Sequence, residues 1–186
     1  MAYIRLIVTD IRTPQYFDVK EKNKMKTLVV YYSLEGNTKY ISEIIANELN
    51  ADLIELHTKK QFPSSGFKKY FWGGKSVLFK EQPELTNENI NLQPYDSIIL
   101  GTPIWAGTYA APLNTFLKQH KMIGKDIALI ACHAGGGADK CFSAMRKALG
   151  SDNNMVGQID FIEPLKRDKD GNFKKAVKWS NSLKMS

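Results

Sequence analysis

The sequence predicts an α/β protein built as a three-layer, doubly wound parallel sheet of five strands. Two observations carry this. Short apolar runs of strand length alternate five times with segments of helical periodicity. Loops rich in glycine, hydroxyl or aromatic residues follow the first, third and fourth runs, where such strands reach the C-terminal edge of the sheet. Successive strand–helix units require right-handed crossovers, so the strands run parallel and helices cover both faces.

Residues 27–32, Thr-Leu-Val-Val-Tyr-Tyr, form a buried-strand run of β-branched and aromatic side chains. Residues 37–49 follow, with Tyr40, Ile41, Ile44, Ile45 and Leu49 on one helical face. Residues 52–56 read as the second strand. The pattern weakens from residue 57 to 92. There Ser64-Ser65-Gly66 reads as a turn, 67–79 as a helix interrupted at Gly73-Gly74, and Pro83 onward as loop. Residues 97–101 make the third strand. A helix opens at Pro112, in its first turn, and runs through Asn114, Phe116 and Leu117. Residues 126–132 are the fourth strand, 138–149 a helix stopped by Gly150, 155–162 the fifth strand and 172–183 the closing helix.

At 186 residues the chain holds one well-buried domain and is short for two. Its 43% hydrophobic and 24% charged residues are those of a globular protein. No apolar run reaches the roughly 18 residues of a membrane span. Arg5, Asp10 and Arg12 interrupt the first residues too early for a secretory signal, so the expectation is a cytoplasmic protein that does not engage a membrane. Cys132 and Cys141 stand in no metal-ligand spacing, which predicts two reduced thiols and no metal. The net charge of +7 is scattered over pairs such as Lys59-Lys60, Lys68-Lys69, Lys166-Arg167 and Lys174-Lys175. That reads as solvated surface, not as a nucleic-acid footprint.

The domain is expected to span residues 25–186, because Met25-Lys26-Thr27-Leu28 begins as a first strand would. Lys20-Glu21 can be encoded by the ribosome-binding sequence AAGGAG, with Lys22-Asn23-Lys24 as spacer. Residues 1–24 are therefore read as an extension created by start-site misassignment. The rival reading is an added strand over residues 3–9.

Three loops carry chemistry. In the first, Ser33-Leu34-Glu35-Gly36-Asn37-Thr38, hydroxyls stand at both ends and a glycine permits a tight turn. Helix amides follow, and these parts make an anion site. Lys39 adds charge and Glu35 subtracts it. The same residues also serve an ordinary turn with Asn37 or Thr38 as N-cap, and the loop alone does not choose. The second loop, residues 101–109, sets Trp105 and Tyr109 at a solvent-facing strand end. A flat heteroaromatic ligand would give them a stacking partner; folding back onto the core is the alternative. The third, Cys132-His133-Ala134-Gly135-Gly136-Gly137-Ala138, lets backbone lie against a ring and offer it amides, or is a flexible linker. His133 by itself reads as a plain loop residue. Two motifs fail. Gly74-Lys75-Ser76 has Lys69 where a nucleotide-triphosphate loop needs its first glycine, and Gly135-x-Gly137 has Lys140 where a dinucleotide fingerprint needs its third.

Together these residues resemble the flavodoxin family. Ser33 to Thr38 is similar to its phosphate loop, Gly101-Thr102-Pro103-Ile104-Trp105 to its first ring-binding loop, and 132–138 to its second, with the likeness covering residues 26–184. The resemblance implies strand order 2-1-3-4-5, the short-chain branch with an uninterrupted last strand, and noncovalent FMN. It further implies electron transfer through flavin semiquinone and hydroquinone to redox partner proteins, by a monomer or homodimer. By position, Ser33, Glu35, Gly36, Asn37 and Thr38 would bind the phosphate. Thr102, Pro103, Ile104, Trp105 and Gly107 would flank the isoalloxazine, with Trp105 against its face. Cys132, Ala134, Gly135 and Gly136 would meet the pyrimidine edge. The flavin carries the redox chemistry, so no catalytic acid or base is expected. The peptide at Ala106-Gly107 is expected to reorient toward flavin N5.

Two departures matter. Carriers of this family are usually acidic, whereas this chain is basic, and segment 57–92, with Tyr70-Phe71-Trp72, exceeds the compact pattern. They keep an alternative open: an FMN oxidoreductase using NAD(P)H to reduce quinones or nitro compounds. A redox-silent binding module would leave the three loops unexplained.

Overall fold

The computed structural model describes residues 25–60, 62, 81–87 and 89–185. The N-terminal extension with its rival strand, the turn at 64–66 and the expected helix over 67–79 lie outside the described residues. In chain order the elements are β1 Thr27–Tyr31, α1 Asn37–Leu49, β2 Asp52–Glu55, β3 Ser97–Trp105, β4 Thr108–Tyr109, α2 Ala111–Gln119, β5 Asp126–His133, α3 Asp139–Leu149, β6 Asn154–Ile162 and α4 Lys169–Ser182.

Five strands pair in parallel in the order β2-β1-β3-β5-β6. Setting aside the two-residue β4, which pairs antiparallel with the end of β3, this is the expected order 2-1-3-4-5. Every residue of β1 and β5 is buried, as continuous apolar runs dictate for strands covered on both faces. The pleat then divides the core. Leu28, Val30, Ile98, Leu100, Ile127 and Leu129 pack with Leu113 and Phe116 of α2 and Phe142 and Met145 of α3. Val29, Ile99, Ala128 and Ile130 pack on the other face with Ile41 and Ile45 of α1 and Ala176 of α4. Burying each large aliphatic side chain contributes about 1.5–3 kcal/mol.

Two boundaries differ from expectation by three residues or more, and one strand carries a bulge, each for a local reason. β3 continues past Gly101 to Trp105, because a two-residue turn folds the chain back into β4. α4 begins at Lys169, not at 172. The Asp168 carboxylate accepts from Gly171 N at 3.0 Å and caps a turn whose Asp-Gly pair reads as a breaker. In β6, Ile127 faces Met155 and Ala128 faces Gly157, so Val156 is an extra residue in an otherwise continuous strand.

The described ends of segment 57–92 are drawn together beside β2. Thr58 and Leu85 form an antiparallel bridge, with Thr86 N donating to His57 O at 2.8 Å. The Asn87 side chain donates to Glu55 O at 2.8 Å and accepts from His57 N at 2.7 Å, pairing groups that the edge strand would otherwise leave open. Among the described residues no helix is long and apolar enough to cross a membrane.

Candidate functional site

The parallel strands deliver four loops to one edge, and a cleft of about 830 Å³, measured out to its open mouth, lies between them. Its lining combines residues 33–35, 37 and 38 after β1, 103–106 at the end of β3, 132–134 at the end of β5, and Glu163 with Lys166 after β6. Of the residues singled out from sequence, Ser33, Glu35, Asn37, Thr38, Pro103, Ile104, Trp105, Cys132 and Ala134 line it. Gly36, Thr102, Gly107, Gly135 and Gly136 belong to the same loops but not to its wall.

The first loop turns into α1 through Gly36, whose φ of 84° places it in the left-handed region. No side chain caps α1, so the alternative in which Asn37 or Thr38 serves as N-cap is not what the chain adopts. Asn37 Oδ1 instead accepts from Leu165 N at 3.1 Å. The hydroxyl oxygens of Ser33 and Thr38 are buried and have no hydrogen-bond partner. A buried hydroxyl without a partner costs free energy, and these two belong to residues that line the cleft beside a helix start with no side-chain cap. Lys39 does not line the cleft, and its ammonium lies 3.5 Å from the Glu55 carboxylate.

In the second loop Ala106 (φ 45°) and Gly107 (φ 82°) both take positive φ, so Trp105 pairs with Thr108 through a mirror-type hairpin turn. Thr102 is fully buried, and its hydroxyl accepts from Ala110 N at 3.0 Å and donates to Pro103 O at 3.0 Å. This hydroxyl therefore braces the hairpin from within. Trp105 stands edge-on to Tyr32 at 5.6 Å and to Phe62 at 5.1 Å, a wall that holds the indole at the cleft. Burial, with the Glu55 charge adding to it, pushes the Tyr32 phenol up to about 12, so this wall is uncharged.

The third loop leaves β5 with Cys132 buried. Desolvation pushes its thiol up to about 12; the Thr38 hydroxyl beside it pulls the other way without completing a hydrogen bond. His133 is buried too. Its Nε2 lies 2.9 Å from Asp160 Oδ2 on β6, and its Nδ1 is buried with no partner. Residues 135–137 all have positive φ and nothing within 4 Å of where a Cβ would stand.

Sequence reasoning missed the fourth loop, residues 163–168. Glu163 adopts φ 41° and its N–H donates to His133 O at 2.9 Å, which ties this loop to the third. Its carboxylate pairs with Lys166 at 3.3 Å and Arg167 at 3.1 Å. The available signal was positional: the run follows the fifth strand and so returns to the same edge. A second cavity of about 970 Å³ shares Ser33 and Leu34 with the cleft and extends past Tyr32 to His57, Thr58 and Thr86. Among the described residues no group of three or more His, Cys, Asp or Glu could hold a metal ion.

A flavoprotein from Lactobacillus acidophilus NCFM, solved in complex with FMN, is 28% identical at a TM-score of 0.65, covering 78% of this chain and 97% of that one. Oxidised flavodoxin 2 from Bacillus cereus is 19% identical with a TM-score of 0.54, over 84% of this chain and 96% of that one. A flavodoxin from the domain Archaea is 17% identical with a TM-score of 0.51, over 84% and 94%. At those identities the last two speak for the fold alone. The family model described as Flavodoxin matches residues 26–169, well over half of the sequence, and the chain belongs to the flavodoxin family.

Proposed function

We propose that the protein binds FMN in this cleft and works as an electron carrier between redox proteins. One observation carries the reading: the buried, unpartnered hydroxyls of Ser33 and Thr38 lie at an uncapped helix start, in the same cleft as Trp105. Anion donors and an aromatic wall together fit a ligand with a phosphate at one end and a flat ring at the other. The FMN complex of the Lactobacillus acidophilus flavoprotein supports the same choice of ligand.

In this reading the Ser33 and Thr38 hydroxyls and the amides of residues 35–38 hold the phosphate. Pro103, Ile104 and Trp105 flank the ring, with the Gly107 turn beside them, and residues 132–136 present backbone to its pyrimidine edge. Bound FMN supplies reversible one- and two-electron transfer, and the chain tunes it through stacking, low polarity and backbone hydrogen bonds. With a net charge of +7, the chain favours partners whose docking faces are acidic.

The test is to purify the protein, identify any flavin released on denaturation, and titrate it anaerobically. The expected result is about one FMN per chain, reduced by dithionite and left oxidised by NADH or NADPH alone. Rapid reduction by NADPH, with turnover of a quinone or nitro compound, would replace the carrier with an oxidoreductase. A chain that retains no flavin and binds none when FMN is added sinks both.

A further inference from the structure

We propose that Lys166 is a phosphate-binding residue of the cleft, whose ammonium exchanges the Glu163 carboxylate for the phosphate of FMN and so selects FMN over riboflavin. The proposal rests on the FMN reading above and adds a residue to it. Its first ground is charge. Ser33 and Thr38 offer neutral donors, while Glu35 and Glu163 also line the cleft, so a phosphate dianion enters beside two carboxylates. Lys166 is the single Lys or Arg among the described lining residues. Lys39 is not among those lining residues.

The second ground is that the loop is built against the phosphate-binding segment. Leu165 N donates to Asn37 Oδ1 at 3.1 Å, and Leu165 Cδ1 lies 3.2 Å from where a Cβ on Gly36 would stand. Glu163 N fixes the other end of the loop to His133 O at 2.9 Å. The residue next to Lys166 is thus anchored on the first loop, and Lys166 lines the same cleft as Ser33 and Thr38.

The third ground is that the exchange strands no charge. Glu163 uses Oε1 for Lys166 at 3.3 Å and Oε2 for Arg167 Nε at 3.1 Å. When Lys166 turns away, Arg167 still neutralises Glu163. The Lys166 side chain is 64% exposed, so the ion pair it gives up is solvent-screened and weak, whereas a phosphate dianion is the stronger partner.

The experiment measures dissociation constants of the flavin-stripped full chain for FMN and for riboflavin, at low and high salt. Lys166→Gln is expected to weaken FMN by about tenfold or more, to leave riboflavin within about twofold, and to flatten the salt dependence of FMN binding. Lys166→Arg keeps most of the FMN affinity, and Arg167→Gln changes it less than about threefold. Equal losses for FMN and riboflavin overturn the proposal, because they mark a residue that only shapes the loop. FMN affinity unchanged in Lys166→Gln overturns it as well, since the ammonium then stays with Glu163, while wild-type FMN binding leaves the cofactor reading standing. A wild-type chain that binds neither flavin overturns both.

Discussion

The two ends of the cleft are made in opposite ways. At the α1 end the protein encloses its own backbone. A Cβ on Gly101 would stand 2.9 Å from both Tyr31 Cβ and Ser42 Oγ, and one on Gly36 would stand 3.2 Å from Leu165 Cδ1. At the hairpin end, Gly107 and residues 135–137 have nothing within 4 Å of the same point. The first end is therefore shaped by packing that exists without a ligand. The second presents backbone to open space, where the proposed flavin ring would seat. Fixing the anion end in advance spares the cost of ordering it on binding, while the open end leaves room for a planar group to seat against amides.

The largest break in this comparison is expected at Gly101→Ala. The added methyl meets β1 and α1 core atoms at 2.9 Å, and both are held by the sheet and by the packing of Ile41 and Ile45. Strand and helix must separate, at a cost of about 1–3 kcal/mol, which lowers the melting temperature by several degrees in a domain of this size. An unchanged melting temperature would show that α1 yields freely, and the α1 end would then be no more rigid than the hairpin.

A finer test compares Gly36→Ala with Gly107→Ala. Both glycines have nearly the same backbone angle, φ 84° and 82°, so the conformational strain of about 1 kcal/mol is shared. They differ in surroundings. The Gly36 methyl comes within 3.2 Å of Leu165 Cδ1, which must shift to admit it, whereas the Gly107 methyl enters empty space. Gly36→Ala is expected to melt lower than Gly107→Ala, and the difference between the two reports packing alone. Equal melting temperatures would erase the distinction.

The same contrast explains what the sequence makes legible. The strands and the first three loops are readable because the apolar runs mark strands, and because glycines and hydroxyls cluster where strands end; the sheet order is implied only by the resemblance those loops carry. The hairpin of β3 and β4 is hidden, since Pro103 argues against a continuing strand and its turn is Ala106-Gly107 instead of a strong Asn-Gly signal. The fourth loop is hidden for another reason. Glu163-Pro164-Leu165-Lys166-Arg167-Asp168 has the composition of any charged surface turn, and its meaning comes only from lying against Asn37, more than a hundred residues away. Orphaned hydroxyls are likewise invisible in sequence. Thr38 reads equally well as an N-cap, and only the observed helix start at Gly36 shows that its hydroxyl is not used there.

The two thiols differ in their relation to the cleft, and their labelling is the smallest effect expected. Cys132 lies under Thr38 at the α1 end, while Cys141 on α3 is close enough to Tyr109 of β4 to influence its phenol. Burial pushes both thiols up to about 12. At pH 8 the thiolate fraction of such a group is about 10⁻⁴, against roughly a quarter for a free cysteine, so native alkylation by iodoacetamide is slow at both. The sign for stability follows. Above the ordinary thiol range the unfolded chain loses protons that the folded chain retains, so stability falls as pH rises from about 8.5 toward about 12. Labelling below that window proceeds through local opening, read by mass spectrometry of the two cysteine peptides. Cys132 lines the cleft and Cys141 does not, so added FMN is expected to slow modification of Cys132 more than that of Cys141. Equal protection of the two would mean that the cleft closes as one body.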